Sequence, residues 1–280
     1  MRWGEFVDEH GITIRYRVWE AASPRAVVVL LHGVGEHSGR YEATAQAFVA
    51  AGYEVWADDH RGHGETGRLQ YHGDLSKIGQ LGPGGLRATI AAVQQFIDIA
   101  HAAHPTLPLV LLGHSWGSLM AQIIVNRRPE LFAAVVLTGT AYRSLRHMDS
   151  GDLNRKHRHL GTTGAEWLSR DPAVAAAFVA DELTTLTSLK KLFGLLDASR
   201  LLGKPAKNLP HTLPILIVVG SDDTLGGEPS AHRLADAYIQ RSGLSDVQLI
   251  VYTGARHEVL NETNQIEVRH DILNWLNDRV

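Results

Sequence analysis

Apolar positions along this chain fall into two patterns that alternate with each other. AVVVLLHG (26–33), YEVWA (53–57), LVLL (109–112), AAVVLTG (133–139), PILIVVG (214–220) and VQLIVY (247–252) are short apolar runs, as expected of strands buried on both faces. Between them lie segments with helical spacing: 41–51, ended by Gly52; 84–104, started near Pro83 and stopped before Pro105; 118–126; 229–241; and 262–278. Two further arms, 5–7 and 12–19, flank an Asp-Glu-His-Gly turn and predict an N-terminal hairpin. Residues 58–67 (DDHRGHGETG) read as a loop rich in Gly and His. Strands alternating with helices imply βαβ units, an α/β fold and a mostly parallel sheet. Right-handed crossovers then place the strand C-termini along one ligand-facing edge.

The rhythm breaks between about 141 and 208. This stretch is helix-prone, carries no buried strand pattern and sits between two strands at that edge. It predicts a helical cap inserted into a core made of residues 1–140 and 209–280. The apolar side chains at Phe178, Leu183, Leu186, Leu189, Leu192, Phe193, Leu195 and Leu196 fit a cap, and they would equally fit two extra core helices.

Composition narrows the class of function. A chain of 280 residues with 44% hydrophobic and 20% charged residues reads as a soluble globular protein. Its net charge of −3 carries no nucleic-acid footprint. Arg155 to His159 (RKHRH) reads as a solvated basic face, with His157 and His159 on the surface. There is no cysteine, so disulfides, thiolate metal sites and a cysteine nucleophile are excluded. No stretch reaches the ~20 apolar residues needed to cross a bilayer, and the N-terminus lacks a signal-peptide core. A cytoplasmic location is the expectation. Neither a cofactor nor a metal is expected, since His60 and His63 lack a compact set of further ligands.

The chemistry concentrates in Gly113-His114-Ser115-Trp116-Gly117, which follows an apolar strand and precedes a helix. Gly-x-Ser-x-Gly in that setting predicts a sharp elbow with Ser115 at its apex and the Trp116 amide at a helix N-terminus. A serine hydroxyl needs a histidine to take its proton, and that histidine needs a carboxylate to orient it. Downstream, one strand ends in Ser221-Asp222-Asp223-Thr224-Leu225, and the last predicted strand is followed by Thr253-Gly254-Ala255-Arg256-His257. Gly220, Asp223 and Leu225 match the usual acid turn, which favours Asp223 over Asp222. Of the 16 histidines, placement after the last strand selects His257. His32-Gly33-Val34-Gly35, after the third strand, would offer the Val34 N–H as an oxyanion donor opposite that of Trp116.

HGVGEHSGRY (32–41), DDHRGHGETG, GHSWGS, GSDD and ARHEVLNE (255–262) resemble the monoacylglycerol lipase and lysophospholipase branch of the α/β-hydrolases, grouped as S33-type serine-aminopeptidase-like hydrolases. The resemblance runs over nearly the whole chain. It implies an eight-stranded α/β-hydrolase sheet, a triad of Ser115, Asp223 and His257, and backbone oxyanion donors at Val34 and Trp116. Trp116 stands where glyceride lipases carry Met or Gln, and its bulk is expected to narrow the acyl site. The implied activity is hydrolysis of small to medium acyl esters through an acyl-enzyme, with transient lipid-surface contact through the cap. Two alternatives carry their own signatures. An aminopeptidase or amidase would need an acidic cluster in the cap, with Asp181 and Glu182 as candidates. A non-catalytic ligand-binding protein would keep the fold without turnover.

Overall fold

The computed structural model describes residues 1–149 and 151–280. In chain order the main elements are β1 (Arg2–Val7), β2 (Thr13–Trp19), β3 (Ala26–Leu31), α1 (Glu42–Ala50), β4 (Tyr53–Asp58), α2 (Gly64–Gln70), α3 (Gly85–Ala103) and β5 (Leu109–His114). They continue as α4 (Trp116–Val125), β6 (Ala134–Thr138), α5 (Pro172–Ala180), α6 (Leu189–Arg200), β7 (Ile215–Gly220), α7 (Gly227–Gln240), β8 (Val247–Tyr252) and α8 (Gln265–Asn277). The eight strands form one sheet in the order β1-β2-β4-β3-β5-β6-β7-β8. β1 pairs with β2, and β2 with β4, antiparallel; every other pairing is parallel. This is the eight-stranded α/β-hydrolase sheet that the family resemblance implies.

The continuous apolar runs follow from burial on both sides of this sheet. Alternate side chains of β3 go to opposite layers, Val27, Val29 and Leu31 to one and Val28 and Leu30 to the other. The first layer is closed by α3, through Leu86, Val93, Phe96 and Ile97. Phe48 of α1 with Ile272 and Trp275 of α8 close the second. The parallel strands β3, β5, β6 and β7 thus end together beside the loops that carry the candidate chemistry.

One local difference from the sequence reading has a physical cause. Part of the predicted loop 58–67 is helical, beginning at Gly64. Its first turn is capped by Asp59, whose Oδ2 accepts the Glu65 N–H at 2.9 Å. Gly67 has no side chain to hold it off the Gly62 carbonyl against which it packs. Two glycines in seven residues hide such a helix from propensity arguments. Within α6, Gly194 (φ 74°, ψ 170°) interrupts the helical backbone. Residues 141–208 contain α5 and α6 and, among the described residues, no strand.

Candidate active site

The elbow forms because three glycines and one strained serine bring strand, turn and helix very close. Ser115 holds φ 51°, ψ −122°, one of three non-glycine residues with positive φ among the described residues. Such a conformation costs about 1–3 kcal/mol and persists only when its surroundings over-determine it. Here its N–H donates to the Thr138 carbonyl at 3.0 Å, and the Ser118 hydroxyl donates to its carbonyl at 2.5 Å. A Cβ at Gly113 would lie 2.7 Å from Ser118 Cα, and one at Gly117 would overlap the Leu31 carbonyl oxygen. Gly139, at φ 51°, lies against both His114 and the His257 carbonyl. Gly117→Ala should therefore destabilise the fold by about 3 kcal/mol, the upper range for overpacking. A melting curve unchanged from the parent would contradict this account of the elbow.

Asp223 and His257 are brought together at the ends of β7 and β8. His257 Nδ1 lies 2.9 Å from Asp223 Oδ1, with both side chains at or below 1% exposure. That oxygen also accepts the Leu225 N–H at 2.8 Å, which fixes the carboxylate. The carboxylate is acceptor-only, so Nδ1 carries the ring proton and leaves Nε2 as the basic nitrogen. Burial opposes the charged imidazolium, but Asp223, with Glu258 and Glu36 behind it, outweighs that and raises the pKa of His257. Ser115 and His257 line the same cavity. Asp222 does not join them; its partly exposed carboxylate pairs with Lys156 at 2.9 Å. The His114 ring packs tilted at 55° with its centroid 4.9 Å from that of His257, and its pKa is pushed down to about 4 by burial and then by His257, so it remains neutral.

The Gly33–Val34 peptide is oriented by a side chain the motif alone does not reveal. His32 is fully buried, with Nδ1 2.7 Å from the Gly33 carbonyl and Nε2 3.0 Å from the His60 N–H. A carbonyl only accepts and an amide only donates, so His32 is the neutral Nδ1–H tautomer. Burial first, then His60 and His63, lowers its pKa well below the ordinary value. The chain has no cis peptide among the described residues, so the Val34 N–H points opposite to the carbonyl that His32 holds. Neither the Val34 nor the Trp116 amide donates to another protein group among the described residues. Both residues line the cavity that contains Ser115. Two amides without a protein acceptor among the described residues, on the cavity wall with a serine and a carboxylate-held histidine, are candidates to stabilise a tetrahedral oxyanion.

The cavity measures about 970 Å³ and is mostly apolar, with Leu119, Leu186, Leu189 and Leu225 among its walls. Trp116 does not close it. The indole is 1% exposed and packs 5.1 Å from His63, 5.4 Å from His60 and 4.9 Å from Phe193 of α6. Its ring packs on the histidines of the 58–67 segment, while Trp116 also remains part of the cavity wall. A correction concerns His157, which is 3% exposed rather than on the surface. Its Nε2 lies 3.1 Å from the Asp222 carbonyl, so RKHRH partly packs on the acid turn. His159 is exposed. Asp181 and Glu182 do not line the cavity: Asp181 meets His37 at 2.9 Å and Glu182 meets Arg68 at 3.3 Å.

Several neighbours of the site escape sequence reasoning. Trp167 covers His257 with ring centroids 4.6 Å apart, and its carbonyl accepts the His257 N–H at 3.3 Å. Glu36, Arg40 and Glu258 form a buried ion cluster beside the histidine. Their only signal was membership of the HGVGEHSGRY and ARHEVLNE stretches.

Residues 22–264 match the family described as serine aminopeptidase, S33. The chain is 36% identical to the monoacylglycerol lipase of Mycolicibacterium smegmatis, covering 97% of this chain and 95% of that one. It is 29% identical to the monoglyceride lipase of Homo sapiens, covering 98% and 89%. Among solved structures, a thermostable carboxyl esterase from Bacillus coagulans superposes with a TM-score of 0.85 at 24% identity, covering 100% of this chain and 99% of that one. The monoacylglycerol lipase of Paleococcus ferrophilus gives 0.69 at 23% identity, covering 95% and 99%; these two likenesses concern the fold. Sequence and site converge: the chain belongs to the serine aminopeptidase S33 family of α/β-hydrolases, in its monoacylglycerol lipase-like branch.

Proposed function

We propose that this serine ester hydrolase cleaves monoacylglycerol-type esters through an acyl-enzyme on Ser115. Ser115 attacks the ester carbonyl while His257 Nε2 takes its proton. Asp223 holds the ring and stabilises the imidazolium, and the Val34 and Trp116 amides receive the oxyanion. His257 then returns the proton to the leaving glyceryl oxygen. Water, deprotonated by the same nitrogen, releases the fatty acid. The observation that carries this reading is the buried Asp223–His257 pair beside the Ser115 elbow, on the wall of an apolar cavity of about 970 Å³. That volume lies at the upper end of ordinary ligand pockets, which supports acyl chains longer than the small esters a narrowed site would admit.

Residues 141–208 act in this proposal as the cap. Their leucines supply much of the cavity wall, and exposed Leu160, Leu186, Leu195 and Leu196 support transient contact with lipid surfaces. Among the described residues no helix is long and apolar enough to cross a membrane. A cytoplasmic location is part of the same proposal. The amidase alternative loses its support because Asp181 and Glu182 are engaged elsewhere.

A glyceryl ester series of rising chain length, run beside p-nitrophenyl esters and amino-acid anilides, tests the substrate class. The highest kcat/KM should fall on a monoacylglycerol of medium or longer chain. Faster turnover of the anilides would overturn the reading.

A further inference from the structure

Glu36 sits on the loop that carries the candidate oxyanion donor, bonds Gly33 of that loop directly and reaches the loop of the candidate base through Arg40. It is 3% exposed. Its Oε1 accepts the Gly33 N–H at 2.6 Å and the Tyr41 hydroxyl at 2.7 Å. Its Oε2 accepts from Arg40 Nη1 at 2.7 Å. The same guanidinium forks onto Glu258, Nη1 to Oε1 at 2.6 Å and Nη2 to Oε2 at 2.8 Å. Glu258 directly follows His257, and its own N–H is held by the Leu168 carbonyl at 2.7 Å. A Cβ at Gly33 would stand 2.7 Å from Glu36 Oε1 and 3.1 Å from Ser115 Cβ, so the carboxylate grips the chain next to the nucleophile.

Stability alone is a poor explanation for this arrangement. Taking three charges out of water is costly, and well-packed apolar residues of similar volume often serve the fold as well or better. What the charges supply is fixed geometry. Gly33 N–H is held by Glu36 and Gly33 C=O by His32, so both peptide units around Gly33 are pinned just before Val34. The net charge of the trio is also negative and faces the histidine that becomes positive during the reaction.

We propose that Glu36 is a positioning residue of the hydrolysis: one buried carboxylate pins the Gly33 amide and, through Arg40, the Glu258 beside His257, so that oxyanion donor and base are set relative to each other. The proposal rests on the triad reading above. Glu36→Ala should lower kcat by about 10²-fold, comparable to loss of one oxyanion donor, with KM little changed. Glu36→Gln keeps an oxygen for Gly33 but loses the charge, so its loss should be smaller. A trifluoromethyl ketone, which forms an oxyanion on the serine, should lose affinity in both variants in step with kcat/KM. Removing a negative charge near His257 makes its imidazolium easier to deprotonate, so in Glu36→Gln the acid limb of kcat/KM should move to lower pH. A purely structural role would lower the melting temperature and leave the ketone affinity and the acid limb in place; that result overturns the proposal. If neither variant folds, Arg40→Lys, which keeps the charge but loses the fork onto Glu258, should lose ketone affinity in step with kcat/KM while its acid limb stays in place, and an undiminished ketone affinity overturns the proposal equally. Fluorophosphonate labelling separates the two levels of failure. Labelling of the parent that persists in Ser115→Ala sinks the triad reading itself, whereas labelling confined to Ser115 with unchanged Glu36 variants sinks only this inference.

Discussion

Ser115→Ala is expected to lower kcat by about 10⁴- to 10⁶-fold, with the residual rate supplied by the oxyanion donors and binding alone. The size of the effect follows from what the residue does. In the proposed reaction its Oγ forms the new bond and its neighbours act as one unit with it. Ser115 is 7% exposed and carries a strained backbone that Ala can also adopt at similar cost. The variant should therefore fold, melt within a few degrees of the parent and still bind the ester. A retained rate above about one hundredth of the parent's would remove Ser115 from the reaction, since a lost nucleophile costs far more than that.

Asp223→Asn comes next, with an expected loss of about 10⁴-fold in kcat. An asparagine can present its amide N–H to His257 Nδ1, which favours the wrong tautomer and leaves Nε2 protonated. The pH profile adds a signed test. His257 must be neutral to act as base, so kcat/KM in the parent should rise through a pKa above the ordinary histidine value of 6.5. Burial opposes that elevation and Asp223 is the first group that overcomes it; without it, the acid limb should move to lower pH. Stability follows the same linkage. A raised folded-state pKa contributes stability that is fully present below 6.5 and lost as pH rises through the raised value. The parent's melting temperature should show that fall and Asp223→Asn should show less of it. An unshifted acid limb in the variant would contradict the assigned partnership.

Much of this architecture was legible because burial on both faces writes long apolar runs. β3, β5, β6 and β7 are wholly buried, and each reads from sequence to within a few residues. The elbow was legible for a different reason: backbone crowding demands Gly at 113 and 117, and that demand is visible in letters. Helix α2 was not, because its stability comes from Asp59 and from close packing on Gly62 rather than from its own residues. Nor was the fate of Trp116, since whether a large ring fills a cavity or a core depends on partners 50 and more positions away, at His60 and His63. The histidine count illustrates the same limit. His157 looked like part of a charged surface run, and only the path of the chain shows it against the Asp222 carbonyl. Sequence could name Val34 as a candidate donor, but the orientation of its amide depends on the tautomer of His32, which His60 sets from another strand end.

Covalent catalysis by Ser115, as proposed, can be tested by catching the intermediate. The protein should be mixed with excess p-nitrophenyl ester, quenched in acid within the first turnovers and weighed intact, with the modified peptide then sequenced by fragmentation. A stoichiometric burst of p-nitrophenol and a single acyl adduct on Ser115 are expected, with neither in Ser115→Ala. An adduct on any other residue, or a burst that survives Ser115→Ala, would contradict it.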